Sequence, residues 1–346
     1  FAAARNLRGV IAAEHPDLIH THSQKAHVFA TLAAWGKGVP VIWHMRDVLL
    51  GRFARGIMDL LAAVAVRRVI AISQTVASQF KLARRKVAVV YNAVAEPRPL
   101  DREAAVRIRS GWAVPRDGRV VGCVGQMAPW KGQHIFVQAG TALAPAFPDL
   151  YFVVVGSTLY GANEYGARLV RAVRRAGLAA RFRFVGQQED AGRAIGAFHV
   201  LVHTPVEPEP FGRVVVEAMA RRVPVVASRS GGIPEIIEDG REGFLVEVGN
   251  PGAVAAATAF LLDDPQLAAE MGAQGRATYE RRFTVERLCR EVNLIYREVL
   301  GRPSRSRKSP VTLPLRRQPG RLRERVGAPS PGGVNRGSRG PVNGPA

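Results

Sequence analysis

Short runs rich in Val, Ile and Leu alternate along this chain with longer stretches in which apolar residues recur every three or four positions. The first pattern predicts buried strands and the second amphipathic helices. Near the start, DLIHTH (17–22), PVIWHMRD (40–47), RRVIAIS (67–73) and KVAVVYNAV (86–94) read as strands. An Ala-rich helix precedes the first of them, and a helical stretch, QTVASQFKLARR, separates the last two. EPRPLDREAAVRIRSGW (96–112) reads as a linker to a second set of strands: RVVGCVG (119–125), LYFVVVG (150–156), RFRFVG (181–186), HVLVHTP (199–205), VPVVAS (223–228) and GFLVEVG (243–249). Helices are predicted near 132–146 and 163–176, just before HVLVHTP, from about Phe211, and over IPEIIED (233–239). Two more, near 251–262 and 265–281, precede the amphipathic VERLCREVNLIYREVL (285–300).

Strands alternating with helices at this spacing imply α/β architecture with parallel sheets and crossover helices. The expected division is an incomplete Rossmann-like domain over 1–112, a complete one over 113–283, a C-terminal helix over 284–300 and a tail over 301–346. Ligands of such sheets sit outside the carboxyl ends of the strands. That rule selects Gly125-Gln126, Gly156-Ser157, Gly186-Gln187, Pro205 through Gly212 and Ser230-Gly231-Gly232, with His22 and His44 in the first half. Two such halves would bring their edges together across a cleft.

Composition sharpens this picture in three places. The two cysteines, Cys123 and Cys289, share no metal-ligand spacing, so a reducing cytoplasm is expected rather than a disulfide framework. No stretch approaches the roughly 20 apolar residues of a membrane span. The chain opens in mid-helix without an initiating Met, so it reads as a fragment. Of the net charge of +21, the segment from Gly301 onward carries +10, with 11 basic residues against the single acid Glu324. With almost no aromatic or periodic apolar content, this tail is expected to be disordered.

Candidate chemistry gathers at the strand ends of the second half. In GCVGQMAPWKGQ (122–133) a buried strand ends at Gly125, and Lys131 precedes a helix, where an ammonium suits a phosphate. A surface lysine in a turn is the plainer alternative, and the Walker pattern is absent. In EPEPFGRVVVEAMA (207–220), Glu209 stands in a Pro-rich loop and Glu217 early in the following helix, where free N–H groups favour a carboxylate. The pair would suit a nucleoside diphosphate sugar, Glu209 accepting from the sugar and Glu217 from the ribose.

EPFGRVVVEAMA resembles the E-x7-E signature of the retaining glycosyltransferases of family 4, which have the two-domain GT-B fold. The likeness continues through VGQMAPWKG, YFVVVGS, FRFVG, RRVPVVAS and SGGIPEIIEDGREGFLV, and less strongly through DLIHTHS, VIWHMRD, AISQTVA and VYNAV, over roughly residues 5–300. It implies a metal-independent hexosyltransferase without cofactor, using a nucleotide sugar and a carbohydrate or lipid-linked acceptor. By the same resemblance Lys131 holds the diphosphate and Glu209 contacts the hexose. Phe211 and Gly212 present backbone, Gly125, Gln126 and Gly186 line the donor site, and Glu217 binds the ribose. His44 approaches the reacting sugar, and His22 lies on the acceptor side, where a packed or capping histidine is the alternative.

The sequence departs from that pattern twice: Gln126 stands where the family usually has Arg, and Asn92-Ala93 where it has Asn-Gly. No Asp-x-Asp motif offers a ligand for a divalent ion. Residues 51–86 carry eight basic residues and only Asp59, which fits either an anionic membrane surface or a solvated face. Two rivals share the fold, a non-catalytic polyanion binder and a sugar-nucleotide epimerase; nucleic acid is not the expected partner.

Overall fold

The computed structural model describes residues 2–49, 51–157 and 163–301, so the expected disordered tail lies almost wholly outside the described residues. The first half runs α1 (Ala2–Glu14), β1 (Ile19–Thr21), α2 (Gln24–Ala34), β2 (Val41–Met45), α3 (Arg52–Ala65), β3 (Arg68–Ala71), α4 (Gln74–Ala77) and β4 (Val87–Val89). Its four strands form one parallel sheet in the order β1-β2-β3-β4. The second half runs α5 (Arg102–Gly111), β5 (Arg119–Val124), α6 (Gln133–Leu143), β6 (Leu150–Val155), α7 (Asn163–Arg175), β7 (Phe182–Phe184), α8 (Ala191–Gly196) and β8 (Val200–His203). It continues through α9 (Arg213–Met219), β9 (Val225–Ser228), β10 (Gly243–Val246), α10 (Pro251–Asp263), α11 (Pro265–Arg282) and α12 (Val285–Val299).

The second sheet has six parallel strands in the order β10-β9-β8-β5-β6-β7. The chain builds outward from β5 through β6 and β7, then returns to lay β8, β9 and β10 on the other side. The strand order reverses between β5 and β8, which opens a crevice at their carboxyl ends. The central strands are buried on both faces, which is why they read as unbroken valine runs rather than alternating ones. Both sheets belong to one compact body, and α12 returns to the first: Ile295 packs with Ile42, Ile70 and Val90. Arg68 also pairs with Glu298.

Three sequence expectations fail for local reasons. QTVASQFKLARR is helical only over Gln74–Ala77, because the Asp59 carboxylate draws the amides of Lys81, Leu82 and Ala83 at 2.8, 2.9 and 3.0 Å. A helix cannot continue where a distant acceptor takes its donors. IPEIIED makes only a 3-10 turn over Ile233–Glu235, as the Glu242 side chain accepts from the Glu238 amide at 2.8 Å. The 96–112 linker contains α5, capped by the Asp101 carboxylate and joined to the second half by an Arg109 hydrogen bond to the Ala197 carbonyl at 3.4 Å. Trp112, next to it, packs against Phe198.

Candidate functional site

The loops leaving β5 and β8 are laced together at the crevice. Thr204 donates from Oγ1 to the Gly132 carbonyl at 3.0 Å, and the Val206 amide donates to Trp130 at 2.9 Å. Gly132 has φ +71, and a Cβ there would stand 1.7 Å from the Thr204 oxygen, so only glycine lets the strands' loops approach this closely. Gly231 does the same for Glu209, since a Cβ at Gly231 would lie 2.1 Å from the Glu209 carbonyl. The Gly232 amide donates to that carbonyl at 2.8 Å, and Ser230 Oγ donates to Glu207 at 2.7 Å. The SGG turn thus clamps the Glu-Pro-Glu-Pro loop.

This lacing brings Lys131 and Glu209 together. Nζ of Lys131 lies 2.7 Å from Oε2 of Glu209, and the two side chains are only 17% and 10% exposed. The ammonium also stands 4.1 Å over the Trp130 ring, which adds a cation–π attraction. His203, at the end of β8, presents Nε2 at 3.5 Å from the same carboxylate. Burial opposes ionisation of Glu209, but His203 and the Lys131 ammonium outweigh it and hold its carboxyl down to about 2. A fixed carboxylate and a cation with two further N–H donors therefore share the crevice.

The other donor-side candidates divide. Gly125 and Gln126 begin the same loop, the Gln126 side chain exposed and its carbonyl accepting from Gln133 Nε2 at 2.8 Å. Gly186 lies along the same sheet edge, its carbonyl accepting from Gly156 at 2.8 Å. The Phe211 ring is buried among Tyr91 and Phe283, and Gly212, with φ +105, caps the start of α9. Glu217 corrects an expectation: α9 starts at Arg213 and spans seven residues, so Glu217 is past the first turn and meets no free N–H groups. Burial pushes its carboxyl up, countered by Arg213, whose Nε donates to it at 2.8 Å.

On the first sheet, His44 pairs with Ile70 of β3 in register, and β1 runs alongside. His20, His22 and His44 stack face to tilted face, with centroids 4.4 to 5.3 Å apart. His44 is buried with both ring nitrogens unpartnered, and His20 donates or accepts at Tyr296. Burial first, then the charges of Arg46 and the other imidazoles, lower His44 to about 3. His20 is lowered to about 4, by burial and then by His22 and Arg46. These are neutral rings at ordinary pH. Their nitrogens lie within 4.8 Å of one another, a donor set that can take a borderline divalent ion. Arg46 beside them opposes added positive charge.

The two edges face each other. Ser73, just past β3, donates from Oγ to the Pro210 carbonyl at 2.6 Å, and Gln74 and Thr75 donate to the Glu235 carboxylate at 2.6 and 2.9 Å. The sheet ending in His44 is thereby held against the loop carrying Glu209. Sequence reasoning missed His203, Trp130, Ser73, Glu235 and His20. A histidine closing an all-apolar strand marked His203, and the two-residue spacing of HTH marked His20 as sharing a face with His22.

Comparison with known proteins now bears on this geometry. The family model described as Glycosyl transferases group 1 matches residues 106–278, and Glycosyltransferase Family 4 matches residues 1–96. A D-inositol 3-phosphate glycosyltransferase of Streptomyces avermitilis is 32% identical over 74% of this chain and 60% of its own length. The lipopolysaccharide core biosynthesis mannosyltransferase LpsB of Rhizobium meliloti is 34% identical over 53% of this chain and 52% of its own. The chain thus spans little more than half the length of these curated relatives. The crystal structure of Anabaena Alr3699/HepE with UDP and glucose superposes with TM-score 0.78 at 30% identity, covering 85% of this chain and 80% of that one. The same Anabaena protein has also been solved with UDP-glucose.

Proposed function

This chain belongs to the group 1 glycosyltransferases, with the GT-B fold, and on that premise we propose that it moves a hexose from a nucleoside diphosphate sugar to a carbohydrate or lipid-linked acceptor. The observation that carries this is the buried Lys131–Glu209 pair at the strand-order reversal. Lys131 has donors left for a diphosphate, and its charge offsets the negative charge that grows on the leaving group. Glu209, ionised throughout the neutral range, is an acceptor for sugar hydroxyls and not a general acid. Phe211 and Gly212 offer backbone to the donor, and Glu217 accepts from the ribose. His44 and His22 form the acceptor-side wall, where neutral imidazoles accept or donate without attracting the diphosphate.

We read the transfer as retaining the anomeric configuration. Glu209 is not assigned as a nucleophile, since two-carboxylate hydrolysis needs both groups beside the scissile bond. In this reading the diphosphate is held by Lys131 and backbone N–H groups rather than by a metal ion, since among the described residues Lys131 pairs with the carboxylate of Glu209 alone. Two free thiols, Cys123 and Cys289, suit a cytoplasmic setting. Among the described residues, no helix is long and apolar enough to cross a membrane.

The test is calorimetric titration with UDP, GDP and ADP, UDP first because the Anabaena neighbour was solved with it. Saturable binding of one nucleotide, surviving a chelator and weakened by Lys131→Ala, is the expected result. Binding of all three with a steep salt dependence would overturn it in favour of a polyanion site.

A further inference from the structure

His20 stands on β1 and His22 just past its end, two residues on, so both project from the same face of the first sheet. The register pairs His20 with Ile42, and His44 lies two residues beyond Ile42 on the neighbouring parallel strand. All three imidazoles therefore leave one face of the sheet, at the carboxyl end of adjacent strands. One nitrogen from each lies within 4.8 Å of the other two.

Packing alone leaves this trio poorly satisfied. A neutral imidazole carries one donor and one acceptor, and buried polar atoms ordinarily find partners. His44 is 2% exposed, yet neither Nδ1 nor Nε2 has a hydrogen-bond partner. His20 commits Nδ1 to the Tyr296 hydroxyl of α12, and its Nε2 is buried without a partner too. By contrast His27, also buried but on α2, meets Thr21 Oγ1 at 2.6 Å. The unanswered nitrogens belong to the cluster and not to its neighbour.

We propose that His20, His22 and His44 bind a single zinc ion, leaving its fourth position to water or to a ligand hydroxyl. Imidazole suits zinc, whose filled d shell imposes no geometry of its own. The rings are already neutral, the form that ligates a metal. With Zn–N of about 2.0–2.1 Å, the nitrogens around a tetrahedral ion stand about 3.4 Å apart, so the rings close in on binding. His22, exposed and just past β1, has room to do so. Tyr296 gives the support that ligating histidines commonly receive, holding His20 by its other nitrogen. Arg46 is exposed, so solvent and salt screen its charge, which weakens the site without closing it. The ion would lie on the wall opposite Lys131 and Glu209, apart from the diphosphate. One consequence rests on the transferase reading: the fourth position would meet a hydroxyl of the acceptor.

Titration of the untagged full chain with zinc, without nucleotide or acceptor, tests the site independently of that reading. Saturable binding of one ion per chain is expected, and cobalt in its place should give the intense visible absorption of a four-coordinate ion. His22→Ala, at an exposed position, should weaken binding about tenfold or more, and His44→Leu should abolish it. Cys289→Ser should leave it unchanged, although Cys289 is the exposed thiol; residues beyond 301 carry no His or Cys. The absence of saturable binding, binding indifferent to both histidine variants, or binding lost in Cys289→Ser would each overturn the proposal.

Discussion

The two sheets present their carboxyl edges to one cleft, yet hold their polar groups in opposite electrical states. At the edge of the second sheet, Lys131 and Glu209 are both charged, in contact and nearly dry. At the edge of the first, His20, His22 and His44 crowd together as neutral rings, and His44 has no hydrogen-bond partner at either nitrogen. The difference follows from partners. A buried charge persists only beside its opposite, whereas imidazoles beside one another and beside Arg46 have every reason to stay unprotonated. One wall carries fixed charge suited to a diphosphate, and the other is polar without charge, suited to hydroxyl groups.

Breaking the charged wall should have the largest effect. Lys131→Ala removes the cation and strands Glu209, so transfer should fall by about a thousandfold and stability by roughly 3–5 kcal/mol. Adding Glu209→Gln to that variant should restore much of the stability and none of the activity, measured by denaturant unfolding and product formation. A single variant as stable as the unaltered protein would mean the pair is not desolvated in solution. Glu209→Gln alone strands the Lys131 ammonium in turn, so it should also lower stability, and transfer should fall by about a hundredfold, the size expected for one charged hydrogen bond made at the reacting sugar.

Acid should dismantle the two walls in different windows. His44 falls from an ordinary value of 6.5 to about 3 on folding, so the unfolded chain binds the proton more readily between those values. Stability therefore drops as pH falls through that range, by up to roughly 1.4 kcal/mol per pH unit for this group. His20 and His27, and His199 in the second half, act in the same direction. Glu209 falls from 4.5 to about 2, so its contribution is intact above 4.5 and is lost only below it. Unfolding measured between about pH 4.5 and 7.5 should be pH-dependent in the unaltered chain and flatter in His44→Leu. Equal slopes would show that His44 is not held neutral.

The smallest effect sharpens the contrast rather than breaking it. Gln126 is exposed at the start of the loop that ends in Lys131, so Gln126→Arg should add a second cation to the diphosphate site. Nucleotide affinity should rise severalfold and become more salt-sensitive, as charge-assisted bonds replace neutral ones. An unchanged dissociation constant would place Gln126 away from the phosphates.

Much of this was legible in the order of residues. The strands of the second sheet announce themselves as valine runs closed by Gly, Ser or His, because strands buried on both faces need continuous apolar sequence. Glu209, Lys131 and the glycines stand at those closures, so the residues that meet at the crevice could be named before any coordinate. Helix boundaries set by distant partners could not. QTVASQFKLARR has the composition of a helix, and only the Asp59 carboxylate, 22 residues upstream of Lys81, explains why its amides leave the helical ladder.

What the sequence determined by itself was the alternation of elements, the parallel sheets and the family to which the chain belongs, since periodicity and local motifs are properties of neighbouring residues. Tertiary structure decided the rest. It closed Lys131 onto Glu209 across 78 positions and joined His20 and His22 to His44. It also turned an apolar stripe of α3 outward, through Phe53, Ile57, Leu60 and Val64, which periodicity cannot reveal, because a 3.6-residue repeat says that a helix has two faces and not which of them meets water.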